Sequence, residues 1–381
     1  MYLWCMRFSL ALLFFVTCVY IPARAQYDVY TLNEPQEFLA SDSGKLQLHV
    51  NTFSYFRNHE YFNPIWDGYT LFGNQFATRL SYAPHARLRI EGGVWIDQTF
   101  GKEQLKVQPL FTAKWTSADS KNTFLAGTLS GHINHGFVDA IYDYERLITH
   151  RNEYGVQWLH NSRWLSHDVF INWEKFIARG DTTQEEFTGG YSGQVHLIQK
   201  PRWAVDMPLQ GYLNHNGGQI NVTNRNLTTF ANTASGLRWK RKNSSTAFIK
   251  ESRAEVYYVA YTDLSPNPGQ LYKNGDAWMG NLLFKTKRSV DLMLTYWSGR
   301  DFYSSKGNPL YQNYSAIGES YSQQQRDLLF VRLLWDKQLF PNFYAHFRLE
   351  PYYDMKASLF EYSYSLFFSY RQPFVLKEKV K

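Results

Sequence analysis

The end of the chain alternates between apolar and polar residues with a period of two. One face carries Phe360, Tyr362, Tyr364, Leu366, Phe368 and Tyr370, and the other carries Glu361, Ser363, Ser365, Phe367 and Ser369. Because successive side chains of a strand point to opposite sides, this segment is predicted to be one β-strand with an aromatic face. About ten tilted residues are enough for such a strand to cross the hydrocarbon layer of a membrane.

Similar alternation recurs along the chain, for example where Leu88, Ile90 and Val94 alternate with Arg89 and Glu91. Sixteen candidate strands, with a range of 14–18, are joined alternately by short turns and by longer loops, notably 131–152, 214–227, 262–275 and 299–325. This pattern predicts an all-β fold, a transmembrane antiparallel up-and-down β-barrel over residues 45–374. A secreted β-sandwich or propeller would also alternate, but the alternating loop lengths favour the barrel.

The N-terminus has the features of a secretory signal peptide. Arg7 precedes an apolar run from Phe8 to Pro22, and Ala23-Arg24-Ala25 forms an A-x-A cleavage site. We therefore expect residues 1–25 to be removed, residues 26–44 to form a periplasmic leader and residues 375–381 to form a C-terminal tail. The alternative is an N-terminal membrane anchor, for which the apolar run is too short.

The composition limits the kinds of site and partner that the mature chain can have. Cys5 and Cys18 both lie in the predicted signal peptide, so the mature chain would have neither disulfides nor thiolate metal sites. Aromatic residues make up 18% of the chain, which suits a barrel with aromatic girdles at both membrane interfaces. Without Arg7 and Arg24, 38 basic residues face 33 acidic ones, a balance too mild to predict nucleic-acid binding. We expect no cofactor and no metal.

On this pattern the chain resembles outer-membrane β-barrel proteins of Gram-negative bacteria, in particular the Tyr- and Asn-rich porin-like proteins of Bacteroidetes. The resemblance implies the cell outer membrane as location, with outer-membrane lipid, lipopolysaccharide and the barrel assembly machinery as partners. Proteins of this kind usually end on an aromatic residue, whereas this chain continues past Phe374 to Lys381.

Charged residues spaced by two are predicted to line the lumen as a pore. The predicted pore-lining residues are Arg87, Arg89, Glu91, Lys106, Lys114, Asp168, Glu174, Glu251, Arg253, Glu255, His346, Arg348 and Glu350. The alternative is a lattice of salt bridges that stiffens the wall. Both signs of charge occur, so strong ion selectivity is not expected.

Aromatic residues in the long loops are candidate ligand contacts. Trp66, Tyr69, Tyr303 and Tyr311 could stack against sugars or other amphipathic ligands. They could equally pack the loops over the barrel mouth or lie at the lipopolysaccharide boundary.

Catalytic candidates are few. The stretch around His215 is slightly similar to one in outer-membrane phospholipases and lipid A deacylases, where a His is followed two residues later by a Ser nucleophile. Here Gly217 occupies the place of that Ser, and it has no hydroxyl for acyl transfer. His132, His135 and His150 lie in one long loop without a recognisable ligand set. We therefore expect no catalytic residues and no enzymatic activity.

The sequence thus predicts an outer-membrane porin-like channel for small polar solutes. One alternative is a barrel with a plugged lumen that serves as a structural or docking component. The other is an outer-membrane lipid-modifying enzyme.

Overall fold

The computed structural model describes residue 32 and residues 40–129, 134–218, 226–318 and 320–378. The predicted cleavage site after Ala25 lies outside these residues. No helix among them is long and apolar enough to cross a membrane.

Sixteen antiparallel strands form one closed barrel in which each strand pairs with its neighbours in sequence and β1 pairs with β16. The strands are β1 Leu46–Glu60, β2 Thr70–His85, β3 Leu88–Thr99, β4 Lys106–Thr116, β5 Asn122–Thr128, β6 Tyr154–Asn161, β7 Leu165–Lys175, β8 Glu186–Gln199, β9 Trp203–Asn216, β10 Thr228–Lys242, β11 Ile249–Asp263, β12 Asn274–Thr286, β13 Val290–Arg300, β14 Gln325–Phe340, β15 Phe343–Asp354 and β16 Leu359–Lys377. The predicted fold class and strand number are confirmed.

The last strand is longer than the sequence predicted. Residues 375–377, which we assigned to a tail, continue β16 and pair with Leu46 and Gln47 of β1. Closure explains this extension, because the first strand offers backbone groups that an edge would leave unpaired.

Alternation along each strand separates a lumen side from an outer wall. On β16, Glu361, Ser363 and Ser365 are buried toward the lumen, whereas Phe360 and Leu366 are exposed on the outer wall. Connections at one end of the barrel are mostly short, and most of those at the other end are longer. Outer-membrane barrels place short turns in the periplasm and long loops outside the cell, so we call the ends periplasmic and extracellular.

Two extracellular loops fold into the lumen. We call residues 134–153 and 301–318 the plug. Its two parts are joined by backbone hydrogen bonds from Asp143 to Lys306 (2.8 Å) and from Asn308 to Asp139 (3.0 Å). A short helix, α1 (Arg146–Thr149), lies in the first part.

The plug packs against wall side chains that point inward. Its buried members are grouped in two apolar clusters with wall residues from many strands, and Leu32 of the leader is buried in the second cluster. The lumen therefore contains packed protein over the region that these clusters occupy.

Candidate active site

Most of the charged residues predicted to line a pore do face the lumen. Eight are buried there: Arg89, Glu91, Asp168, Arg253, Glu255, His346, Arg348 and Glu350. Glu174, Glu251 and Lys114 are half-buried on the same side, while Lys106 is exposed at the extracellular end of β4. Arg87 is an exception, since it lies exposed in the short turn between β2 and β3 and not on a strand.

These charged side chains form ion pairs with one another and with other charged residues of the wall. Arg89 contacts Glu91 at 2.5 Å, Arg348 contacts Asp336 at 2.7 Å, and the guanidinium of Arg238 contacts Glu255 at 2.6 Å. Buried charges need such partners because their desolvation is costly. The arrangement is the salt-bridge lattice that we weighed as an alternative to a water-lined pore.

Some ion pairs join the wall to the plug. Arg57 on β1 contacts Glu145 of the plug at 2.8 Å and Glu350 on β15 at 3.1 Å. Lys306 of the plug contacts Glu174 at 2.7 Å and Glu186 at 3.0 Å. The plug is therefore held by charge as well as by apolar packing.

His135 belongs to this network, contrary to the solvated loop expected from the sequence. Its imidazole lies 2.8 Å from Asp168 and 2.5 Å from Glu153, and it stacks on Phe170 at 3.6 Å. Burial alone would lower the pKa of His135, but the two carboxylates outweigh burial and raise the pKa to about 10. His150 is exposed, and His132 lies outside the described residues.

The four loop aromatics pack the extracellular end. The hydroxyl of Tyr311 is buried and accepts a hydrogen bond from Arg332 at 2.9 Å, and Tyr69 donates to Glu145. Tyr303 stacks with Tyr314 at 5.3 Å, and the rings of Trp66 and Tyr69 are 5.7 Å apart. These contacts correspond to the packing alternative.

A different group of side chains lies on the outer wall near its extracellular end. Four residues face each other directly across β7, β8, β9 and β10: Trp173, Phe187, His215 and Thr229. Their strand neighbours Thr188, Asn214 and Phe230 are buried toward the lumen. Since adjacent residues of a strand point to opposite faces, the four side chains point outward to the membrane.

His215 and Thr229, which we call the outer-wall pair, are joined by a hydrogen bond. Nδ1 of His215 lies 2.8 Å from Oγ1 of Thr229. The ring of Phe187 lies 5.1 Å from the imidazole on the other side, and Trp173 is 5.5 Å beyond Phe187. A histidine bonded to a hydroxyl is the basic arrangement of a nucleophile and its general base.

The surrounding backbone holds both members in place. The backbone N–H of Thr229 donates to the Ser265 hydroxyl at 2.9 Å, and its carbonyl accepts from Leu264 at 2.8 Å. Behind His215, the N–H of Gly217 donates to the carbonyl of Glu185 at 2.9 Å. Gly217 has a φ of 127°, a conformation that glycine adopts readily and other residues rarely do.

The outer-wall pair places a hydroxyl beside His215 that the spacing of the sequence did not reveal. A serine two residues later would stand at Gly217, where the chain leaves the strand. The hydroxyl that lies beside His215 is that of Thr229 on the neighbouring strand, which the register of β9 and β10 places opposite His215. The sequence contains both residues, but their pairing depends on the loop between them and could not be read from spacing alone.

The outer-wall pair lies at the extracellular end of its two strands. His215 is the penultimate residue of β9 at its extracellular end, and Thr229 is the second residue of β10. Trp173 is exposed, and together with the adjacent Phe187 it is of the kind that forms aromatic girdles in barrels. The pair therefore lies beside aromatic residues at the extracellular end of the outer wall.

Comparison with known protein families finds a match over most of the chain. Residues 38–379 match the model of a family described as lipid A 3′-O-deacylase-type. This match contradicts our expectation that the protein is not an enzyme. Among curated proteins, no sequence matches the chain.

Solved structures support the fold. A loop-deletion mutant of OmpT, an outer membrane protein of Vibrio cholerae, has a TM-score of 0.51 at 11% identity, covering 87% of this chain and 100% of that one. A doubly substituted variant of OccD1 (OprD) has a TM-score of 0.50 at 10% identity, covering 90% and 98%.

The chain thus shares the fold of outer-membrane barrel proteins, as the resemblance implied. At such low identity these neighbours establish the fold and carry no residue roles. The signal-peptide cleavage site and the Bacteroidetes type stay predictions.

Proposed function

The chain belongs to the lipid A 3′-O-deacylase-type family, and on that basis we propose that it hydrolyses an acyl ester of lipid A at the outer-wall pair. The observation that carries this proposal is the 2.8 Å contact between His215 Nδ1 and Thr229 Oγ1 on the membrane-facing wall. The family description supplies the substrate class, and the position of the pair agrees with a substrate that lies in the outer leaflet.

The chemistry follows from the two groups. The neutral imidazole of His215 takes the proton of the Thr229 hydroxyl through Nδ1, and Oγ1 attacks the ester carbonyl carbon. The bond from that carbon to the sugar oxygen then breaks, and the imidazolium gives its proton to the leaving sugar oxygen, which departs as a hydroxyl. Water, which gives a proton to the same imidazole, then attacks the acyl carbon; its bond to Oγ1 breaks, the imidazolium returns the proton to Oγ1 of Thr229, and the fatty acid is released.

The wall below the pair offers space for an acyl chain. Next toward the periplasm, the residues that face each other across β8, β9 and β10 are Gly189, Leu213 and Ala231. A Cβ atom on Gly189 would meet nothing within 4 Å. An ester held at Thr229 would thus have its acyl chain running down a wall with small side chains beside the nucleophile.

The channel predicted from the sequence would have to pass the plug. The plug argues against a permanently open pore, because the side chains of its two parts are packed and ion-paired within the lumen. Passage of small polar solutes would require the plug to move. The channel therefore stays a prediction.

The direct test is hydrolysis of purified lipid A in mixed detergent micelles, followed by mass spectrometry of the lipid. The wild-type protein should release one ester-linked acyl chain, and His215→Ala should lower the rate by about 10²–10⁴-fold, the usual contribution of a general base. The matched control is His167→Ala. His167 also lies on the outer wall, near the periplasmic end of β7, and its loss should leave the rate unchanged.

Equal rates in His215→Ala and wild type would refute the role of the pair. Absence of hydrolysis in the wild type would refute the proposed activity itself.

A further inference from the structure

A second outer-wall surface, on β11 to β14, combines polar groups with an apolar groove. At the extracellular end of these strands, two rows of directly paired residues face outward. The rows, which we call the rim patch, are Tyr258, Trp278, Ser298 and Asp327, and above them Asp276, Arg300 and Gln325. The rim patch includes no histidine, so it lacks the base that the proposed hydrolysis uses.

The polar groups of the rim patch hold each other in fixed positions. Asp276 accepts from the Tyr258 hydroxyl at 3.2 Å and from Arg300 at 3.3 Å. Ser298 donates to Asp327 at 2.7 Å and accepts from Gln325 at 2.9 Å. This network orients the donors before any ligand binds.

Two members of the rim patch remain available to a ligand. The side chain of Arg300 is 62% exposed although it contacts Asp276, and a guanidinium carries five N–H donors in a planar fork that suits phosphate. Trp278 is 57% exposed with Tyr258 beside it at 5.3 Å. An exposed indole is a platform for the apolar face of a sugar ring.

An apolar groove begins directly below the rim patch. The next row down consists of Val256, Gly280, Tyr296 and Leu329, and these residues help to line a groove of about 610 Å³. Gly280 leaves its floor open, since a Cβ atom there would meet nothing within 4 Å. Leu282 and Leu294 extend the groove toward the middle of the wall.

We propose that this surface binds one lipopolysaccharide molecule through its lipid A part, without hydrolysing it. An acyl chain occupies the groove at Gly280, the glucosamine ring lies on Trp278, and a lipid A phosphate is bound by Arg300. The site is at the extracellular end and faces the membrane, so its occupant comes from the outer leaflet. A phospholipid could fill the groove but has no sugar ring for Trp278.

This site is separate from the outer-wall pair, because it lies on β11 to β14 and not on β9 and β10. It does not depend on the proposed hydrolysis. The lipid bound at this site covers part of the outer wall. Its binding can be measured without catalytic turnover.

The test is native mass spectrometry of the detergent-purified mature protein, delipidated and then titrated with lipid A or with phosphatidylethanolamine. All proteins carry His215→Ala so that the lipid is not consumed. Gly280→Leu, which fills the groove, and Arg300→Gln, which removes the phosphate contact at an exposed position, should each weaken binding of one lipid A by tenfold or more. Gly92→Leu is the matched control, since Gly92 faces outward on β3 with equally open space.

Two results would overturn the proposal. One is lipid A binding that is as tight in Gly280→Leu and Arg300→Gln as in Gly92→Leu. The other is phosphatidylethanolamine binding that matches lipid A and is lost in the same variants. In a protein without His215→Ala, Gly280→Leu should hydrolyse lipid A at the wild-type rate, so failure of this site and failure of the catalytic proposal are distinguishable.

Discussion

Nδ1 of His135 lies 2.8 Å from the carboxylate of Asp168, and this contact joins the plug to β7 of the barrel wall. Glu153, just before β6, holds the other nitrogen at 2.5 Å. A loop residue that looked solvated in the sequence is therefore a charged group fixed between two carboxylates. The contact bears on both the stability and the permeability of the barrel.

Alkaline pH should weaken the plug through His135. The pKa of His135 is raised to about 10 in the folded protein, because Asp168 and Glu153 outweigh the effect of burial. A raised folded pKa means that the stabilisation is complete below the unfolded value, near 6.5, and is lost as pH rises through about 10. From pH 7 to pH 10.5, the melting temperature should fall further in the wild type than in His135→Gln, by about 2 °C or more.

Tryptophan fluorescence in detergent gives these melting temperatures. A parallel fall in the wild type and in His135→Gln would show that the imidazolium contributes nothing to the folded state.

The plug should limit ion flow. Arg57, Lys306 and His135 anchor the plug by buried ion pairs, and breaking such a pair from one side costs about 3–5 kcal/mol. Replacing residues 134–152 with a short Gly-Ser linker should therefore raise single-channel conductance in planar bilayers well above the wild-type level. Steady conductance of the wild type equal to that of the deletion would favour the channel predicted from the sequence.

The loss of folding free energy caused by a charge on the outer wall should depend on the depth of that charge in the membrane. Leu366 lies in the middle of β16 and Leu376 near its periplasmic end, and both are exposed. Leu366→Arg should lower the free energy of unfolding by roughly 2–4 kcal/mol, and Leu376→Arg by about 0–1 kcal/mol. Reversible unfolding in urea with lipid vesicles measures both, and equal costs would contradict the membrane position that we assign to the barrel.

Ser365, the inward-facing neighbour of Leu366, would be the obvious control site for a charge on the lumen side. Sequence alternation places Ser365 in the lumen, and it is indeed there, but it is fully buried and accepts a hydrogen bond from Arg57 at 3.2 Å. A charge at Ser365 would meet that guanidinium and not water. It is thus unsuitable as a neutral control for a lipid-facing substitution.

The barrel could be predicted because the sequence features that specify it lie within single strands and loops. Period-two alternation, as on β16, and alternating loop lengths decide strand number and facing without any long-range contact. The plug was not predictable in this way, since Phe137, Tyr142 and Tyr311 resemble any polar-aromatic loop until the wall they pack against is known. The prediction that Arg87 faces the lumen was wrong because the hairpin turn between β2 and β3 begins one residue before it.

The outer-wall pair escaped prediction because it depends on register. His215 and Thr229 lie opposite each other because β9 and β10 pair in this particular register. The search for a serine two residues after the histidine assumed that both groups come from one strand. A comparison of hydroxyl residues on adjacent predicted strands would have included Thr229.

The most direct test of the central claim is the Thr229 series, assayed by mass spectrometry of lipid A after incubation with the purified protein. We predict that the wild type removes one ester-linked acyl chain and that Thr229→Ser retains activity, because the hydroxyl next to His215 Nδ1 is preserved. Thr229→Ala should lose about 10²-fold or more, in line with removal of a positioned catalytic group. Hydrolysis by Thr229→Ala at the wild-type rate would contradict the account.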